Sequence, residues 1–132
     1  MAMVTADHYI IKTEKFRAAL SAAEKAARAG KIVTLGIKPE YPATGYGYVQ
    51  RGKSLGNFDG FEVFHAQGFT EKPDADTASA YLKRDSFSWN SGMFIWRVDR
   101  VLDEFQRQRP KIYEQLMTIS NALGTPDEAQ VL

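Results

Sequence analysis

Four short stretches carry the side chains able to do chemistry, and each sits at the edge of an apolar, strand-like run. They are Thr5-Ala6-Asp7-His8, Thr44-Gly45-Tyr46-Gly47-Tyr48, Phe69-Thr70-Glu71-Lys72-Pro73 and Trp89-Asn90-Ser91-Gly92-Met93-Phe94-Ile95-Trp96. A rigid sheet presenting a few polar groups at its rim is how small-molecule pockets are commonly built. Asp7, between a strand-like segment and a helical one, offers a hard oxygen ligand for a divalent cation that also meets phosphates. The same Asp-His pair serves equally as a cap or a surface feature, and His8 carries no metal signal on spacing alone. Gly45 and Gly47 let a backbone approach a ligand closely, or simply form a turn; the spacing is neither a Walker loop nor a dinucleotide fingerprint. Glu71 can accept from hydroxyls and Lys72 can meet a phosphate as a point charge, or the two can be a solvated pair. Asn90 can donate and accept, which suits either a ligand hydroxyl or a local turn.

The elements that must position these groups alternate between helix and strand. Thr13 is the expected N-cap of a helix whose apolar positions are Phe16, Leu20, Ala23 and Ala27, with Gly30 as the residue that ends it. The run 32–37 reads as a strand buried on both faces. Pro39 and Pro42 force an extended loop. A strand is expected over 46–50, a glycine-rich surface loop over 51–60, and a second strand over 61–69 as an antiparallel neighbour, giving a mixed sheet. The acidic stretch at Asp74-Ala75-Asp76 opens a helix through Leu82. A strand over 87–96 follows, then helices over 98–107 and 111–123 separated at Pro110, and a cap at Thr125 to Glu128 opening one more. One α/β domain over residues 1–132 is expected.

The bulk composition narrows the partners. With 17 basic and 16 acidic residues the formal net charge of the 132-residue chain is +1, so nothing electrostatic favours nucleic acid or an anionic membrane. There is no cysteine, which excludes disulfides and thiolate metal sites and permits a reducing compartment. No apolar run has the length of a signal core or a membrane span, and a cytoplasmic location is expected.

Taken together and in order, these blocks, with Thr34-Leu35-Gly36-Ile37, Pro39 and Pro42, resemble the sugar-nucleotide pyrophosphorylases, and within them the mannose-1-phosphate guanylyltransferases. Trp89 to Phe94 is the most specific part. The resemblance implies a Rossmann-like (GT-A-like) nucleotidyltransferase fold, here incomplete, with a mixed sheet and flanking helices. It also implies a reaction joining a sugar 1-phosphate to a nucleoside triphosphate, mannose 1-phosphate and GTP, with release of pyrophosphate. On that basis Asp7 matches a magnesium-binding, catalytic aspartate. Gly47 matches a backbone contact to the sugar, Glu71 and Asn90 match contacts to the sugar, and Lys72 matches a catalytic contact to the sugar phosphate.

The family's N-terminal glycine-rich triphosphate loop and its second metal-binding aspartate have no counterpart in these residues. The chain is therefore expected to be the central, sugar-phosphate-binding part of a larger enzyme, nearly inactive by itself and prone to self-association. A catalytically silent sugar-phosphate-binding or assembly module is the alternative from another class. A pyrophosphorylase for another sugar or base is the third.

Overall fold

The computed structural model describes residues 1–131; Leu132, the end of the expected domain, lies outside them. The chain divides into two compact units, Met1–Trp96 and the residues from Arg97 onward.

The first unit is a five-stranded sheet with two helices. Helix α1, Thr13–Arg28, buries Ala22, Ala23, Ala26 and Ala27 on one face, small residues that let a helix lie close to a sheet. Its cap differs from expectation. Lys12 is the N-cap and Thr13 the first helical residue, because the Phe16 amide already donates to the Lys12 carbonyl at 3.0 Å. The end is as read from the sequence: Gly30 has φ +81°, its amide donates to Ala27, and the Lys31 amide donates to Ala26. That pair of bonds is the Schellman arrangement, which needs a left-handed residue at this position.

Strand β1 is Ala2–Met3, β2 Val33–Ile37, β3 Tyr48–Phe58, β4 Phe61–Thr70 and β5 Phe87–Ile95. The central strand β5 pairs with β1, β2 and β3, and β4 pairs with β3. All these pairings are antiparallel. The expected mixed sheet is thus corrected for the described residues, while the α/β architecture with an open sheet and flanking helices stands. Two further expectations change. The stretch 51–58 is strand rather than loop: its glycines fall at register shifts of the β3–β4 pairing, where bulges absorb them. The reversal itself is confined to Asp59-Gly60, both at positive φ, the two-residue turn that matches strand twist. Strand β2 is not buried on both faces. Val33, Thr34 and Leu35 are only half-buried and Gly36 and Ile37 are exposed. Val33 and Leu35 pack with Ala23, Ala27 and Ile95, while Ile37, on the same face, is 43% exposed.

Burial along β5 alternates from Trp89 onward. Trp89, Ser91, Met93 and Ile95 are buried while Asn90, Gly92 and Phe94 are half-buried, and before them Phe87 and Ser88 are both buried. Along 89–95 the pleat therefore separates a covered face from a more open one. Helix α2, Ala75–Leu82, lies against the covered face, with Ala78 packed among Ala43, Tyr48, Phe87 and Trp89. Tyr81 stacks on Phe87 with centroids 3.9 Å apart. Asp74 caps α2 by accepting from the Thr77 amide at 2.7 Å, which holds its carboxyl below the usual carboxylate range.

The second unit is helical: α3 Val98–Gln108, α4 Pro110–Ala122 and α5 Glu128–Val131. Pro110 occupies the first turn of α4, where a missing amide proton costs nothing.

Candidate functional site

Strand register alone brings three of the five site residues together. Tyr48 is opposite Thr70 on β4 and opposite Trp89 on β5. One step back from Tyr48 is Gly47; one step onward from Thr70 is Glu71, and from Trp89 is Asn90. The two antiparallel ladders therefore place Glu71 and Asn90 on either side of Gly47. The contacts agree: the Asn90 amide donates to the Gly47 carbonyl at 2.8 Å. A Cβ on Gly47 would lie 2.7 Å from Glu71 Oε2 and 2.8 Å from the Phe69 ring. A larger residue there would have to displace the Glu71 carboxylate and the Phe69 ring.

Asn90 is held from its other side. Its Oδ1 accepts from the Thr34 hydroxyl at 2.7 Å and from the Gly92 amide at 3.2 Å. A backbone N–H can only donate, so the atom facing it is the oxygen. What Asn90 has left for a ligand is its Nδ2 donor, which narrows the two-way capacity read from the sequence. No such role for Thr34 is legible in the sequence, because it depends on β2 and β5 being paired.

Lys72 follows Glu71 at the exit of β4 and has φ +45°, a left-handed conformation that costs a non-glycine residue about 1–2 kcal/mol. Pro73, buried behind it, fixes the chain as it turns into α2. Both Glu71 and Lys72 are exposed. Strained backbone of this kind persists where the surroundings over-determine it, and it clusters at binding sites.

The loop ahead of Gly47 is pinned from the covered face. Trp89 meets Tyr41 and Tyr46 edge-on, with centroids 4.9 and 5.2 Å apart. The Tyr48 hydroxyl donates to the Ala43 carbonyl at 3.0 Å. The Tyr41 hydroxyl lies 3.4 Å from that of Tyr46, a contact that raises its pKa above the ordinary tyrosine value. These aromatics are the positioning residues that sequence reading missed; the signal available was a tyrosine at each end of the 41–46 segment.

Asp7 lies on the turn after β1, exposed. Its segment approaches β5 through Thr5, whose methyl would be 3.4 Å from a Cβ on Gly92. Among the described residues Asp7 has no ion-pair partner, and no three His, Cys, Asp or Glu side chains converge. One carboxylate does not cage a metal. It does suit a magnesium ion that takes its other ligands from phosphates and water.

Comparison with known proteins gives this geometry a family. The pattern described as "Nucleotidyl transferase" matches residues 1–125. The chain is 43% identical over 114 residues to a mannose-1-phosphate guanylyltransferase of Escherichia coli (strain K12), covering 86% of this chain and 24% of that protein. It thus spans about a quarter of the length of that relative. In structure it is similar to a Thermus thermophilus protein described as mannose-1-phosphate geranyltransferase, with TM-score 0.83 and 31% identity over 98% of this chain and 36% of that one. It is also similar to one from Helicobacter pylori described as mannose-6-phosphate isomerase, with TM-score 0.73 and 29% identity over 86% and 41%. This chain belongs to the nucleotidyl transferase family.

Proposed function

We propose that the chain is the sugar-phosphate-binding part of a mannose-1-phosphate guanylyltransferase, which joins mannose 1-phosphate to GTP and releases pyrophosphate. The observation that carries this reading is the register that sets Glu71 and Asn90 on either side of Gly47; the identity to guanylyltransferases supports the choice of sugar and base.

In this reading the Gly47 backbone contacts the sugar. Glu71 accepts from ring hydroxyls, and Asn90 Nδ2 donates to another. Lys72 meets the phosphate. Asp7 would hold magnesium, which when bound neutralises phosphate charge. The sugar-phosphate oxygen attacks the α-phosphorus of the triphosphate in line, with no covalent enzyme intermediate. The chain's own contribution is to orient the attacking phosphate and neutralise it. Nucleoside triphosphate as co-substrate assigns the reaction to the cytoplasm.

Calorimetric titration tests the assignment. Lys72→Ala should weaken mannose 1-phosphate binding roughly tenfold and leave mannose binding nearly unchanged, because only the phosphate meets that charge. Equal losses for both ligands would overturn the role of Lys72.

A further inference from the structure

A cavity on the sheet unit is lined by none of Asp7, Gly47, Glu71, Lys72 or Asn90. It measures about 660 Å³, within the range of small-molecule sites. Three cations line it, Lys38, Arg51 and Arg84, against one carboxylate, Asp85. None of the three cations is ion-paired among the described residues, although six ion pairs occur elsewhere in them. Arg51 is the informative one. Its guanidinium stands 5.1 Å from the centre of the Phe64 ring, and its Nε is buried with no hydrogen-bond partner among the described residues.

Physically, this arrangement calls for a counter-ion. A buried donor without a partner carries an uncompensated desolvation cost. Cations that share one cavity repel one another, and an anion converts both costs into charge-assisted hydrogen bonds. A guanidinium kept beside an aromatic ring still offers a fork of donors that matches the oxygens of a phosphate. The remaining walls decide the rest of the ligand. Phe64 and Leu82 are apolar, and the volume exceeds what a bare phosphate fills. Ser86 and Ser88 also line the cavity and can supply hydroxyls. Gly36 lets β2 lie close against Ser88 at the cavity wall, since a Cβ there would lie 2.9 Å from the Ser88 Cβ.

We propose that this cavity binds a phosphorylated small molecule. Its phosphate meets Arg51, Arg84 and Lys38, and its organic part rests on Phe64 and Leu82. The site is separate from the sugar-phosphate site, so the two readings stand or fall independently.

Amide chemical-shift titration of the isotope-labelled chain tests this, with inorganic phosphate and ribose 5-phosphate as probes and sodium chloride at matched ionic strength as reference. Saturable shifts are expected at Gly52, Ser86 and Ser88, with ribose 5-phosphate binding tighter than phosphate. Arg84 is exposed, so Arg84→Gln leaves the fold intact and should weaken ribose 5-phosphate roughly tenfold. Arg51→Lys keeps the charge but removes Nε, and should weaken it too. Lys72→Ala should change none of these shifts. Shifts no larger than those from sodium chloride, or an unaltered affinity in Arg84→Gln, would overturn the site. Equal affinity for the two probes would overturn the role given to Phe64 and Leu82.

Discussion

The two units of this chain are held by different physics. In Met1–Trp96, α1 and α2 press alanines and aromatics onto a sheet, and Tyr48 is completely buried. In the helices from Arg97 onward, Ala122 is the one buried apolar residue among those described. There the conspicuous contacts are charged: Arg97 with Asp99, and Glu104 with both Arg100 and Arg107. Helix α3 has apolar residues at helical spacing, Val101, Leu102 and Phe105, yet all are only half-buried. The contrast teaches that an apolar stripe states which face of a helix seeks cover, and a packed partner decides whether cover is found. The candidate site belongs to the unit that holds most of the buried core.

The largest expected effect follows directly. Trp89→Ala removes the ring that contacts both Tyr41 and Tyr46 and should cost about 3–5 kcal/mol in urea unfolding. Leu102→Ala, half-buried, should cost about 1 kcal/mol. A larger loss from Leu102 than from Trp89 would break the comparison.

Acid should separate the units next. Hydrogen bonds from Arg107, Gln108 and Arg100 lower the Glu104 pKa to about 2, and Arg97 lowers that of Asp99. A depressed carboxylate stabilises fully above its unfolded pKa, about 4.3 for glutamate, and loses that contribution as pH falls through the folded value. Helicity after Arg97 should therefore decline between about pH 4.5 and 2. The Glu104→Gln variant should show a flatter profile, read from residue-resolved amide signals. A decline that begins instead in α1, whose buried face is alanine, would count against the contrast.

The smallest effect sharpens the picture of the site. Lys72 holds a left-handed backbone, so Lys72→Gly should raise thermal stability by about 0.5 kcal/mol once the extra freedom of glycine in the unfolded chain is subtracted. Lys72→Ala should give no gain. Identical melting of both variants would show that the turn stores no strain.

Local chemistry, legible from the sequence, set most element types, the Gly30 helix end, the acidic start of the helix at Asp74-Ala75-Asp76 and the break at Pro110, since each depends on residues within one turn of chain. The resemblance likewise rested on blocks readable in order. Where the reading failed, the deciding partner was distant. Residues 51–58 carry glycines that suit a loop, but pairing with β4 turned them into bulges. The run 32–37 looks buried on both faces, but no residue of Val33–Ile37 is fully buried once folded. Thr13 has a capping side chain, but the helix starts one residue earlier. For the site, the sequence supplied Gly47, Glu71 and Asn90 as residue types; two ladders meeting at Tyr48 made them neighbours. Thr34 had no local mark of its role, and Tyr41 and Tyr46 had only their place at the ends of one segment, because a side chain that positions another acquires its role only when folding supplies the contact.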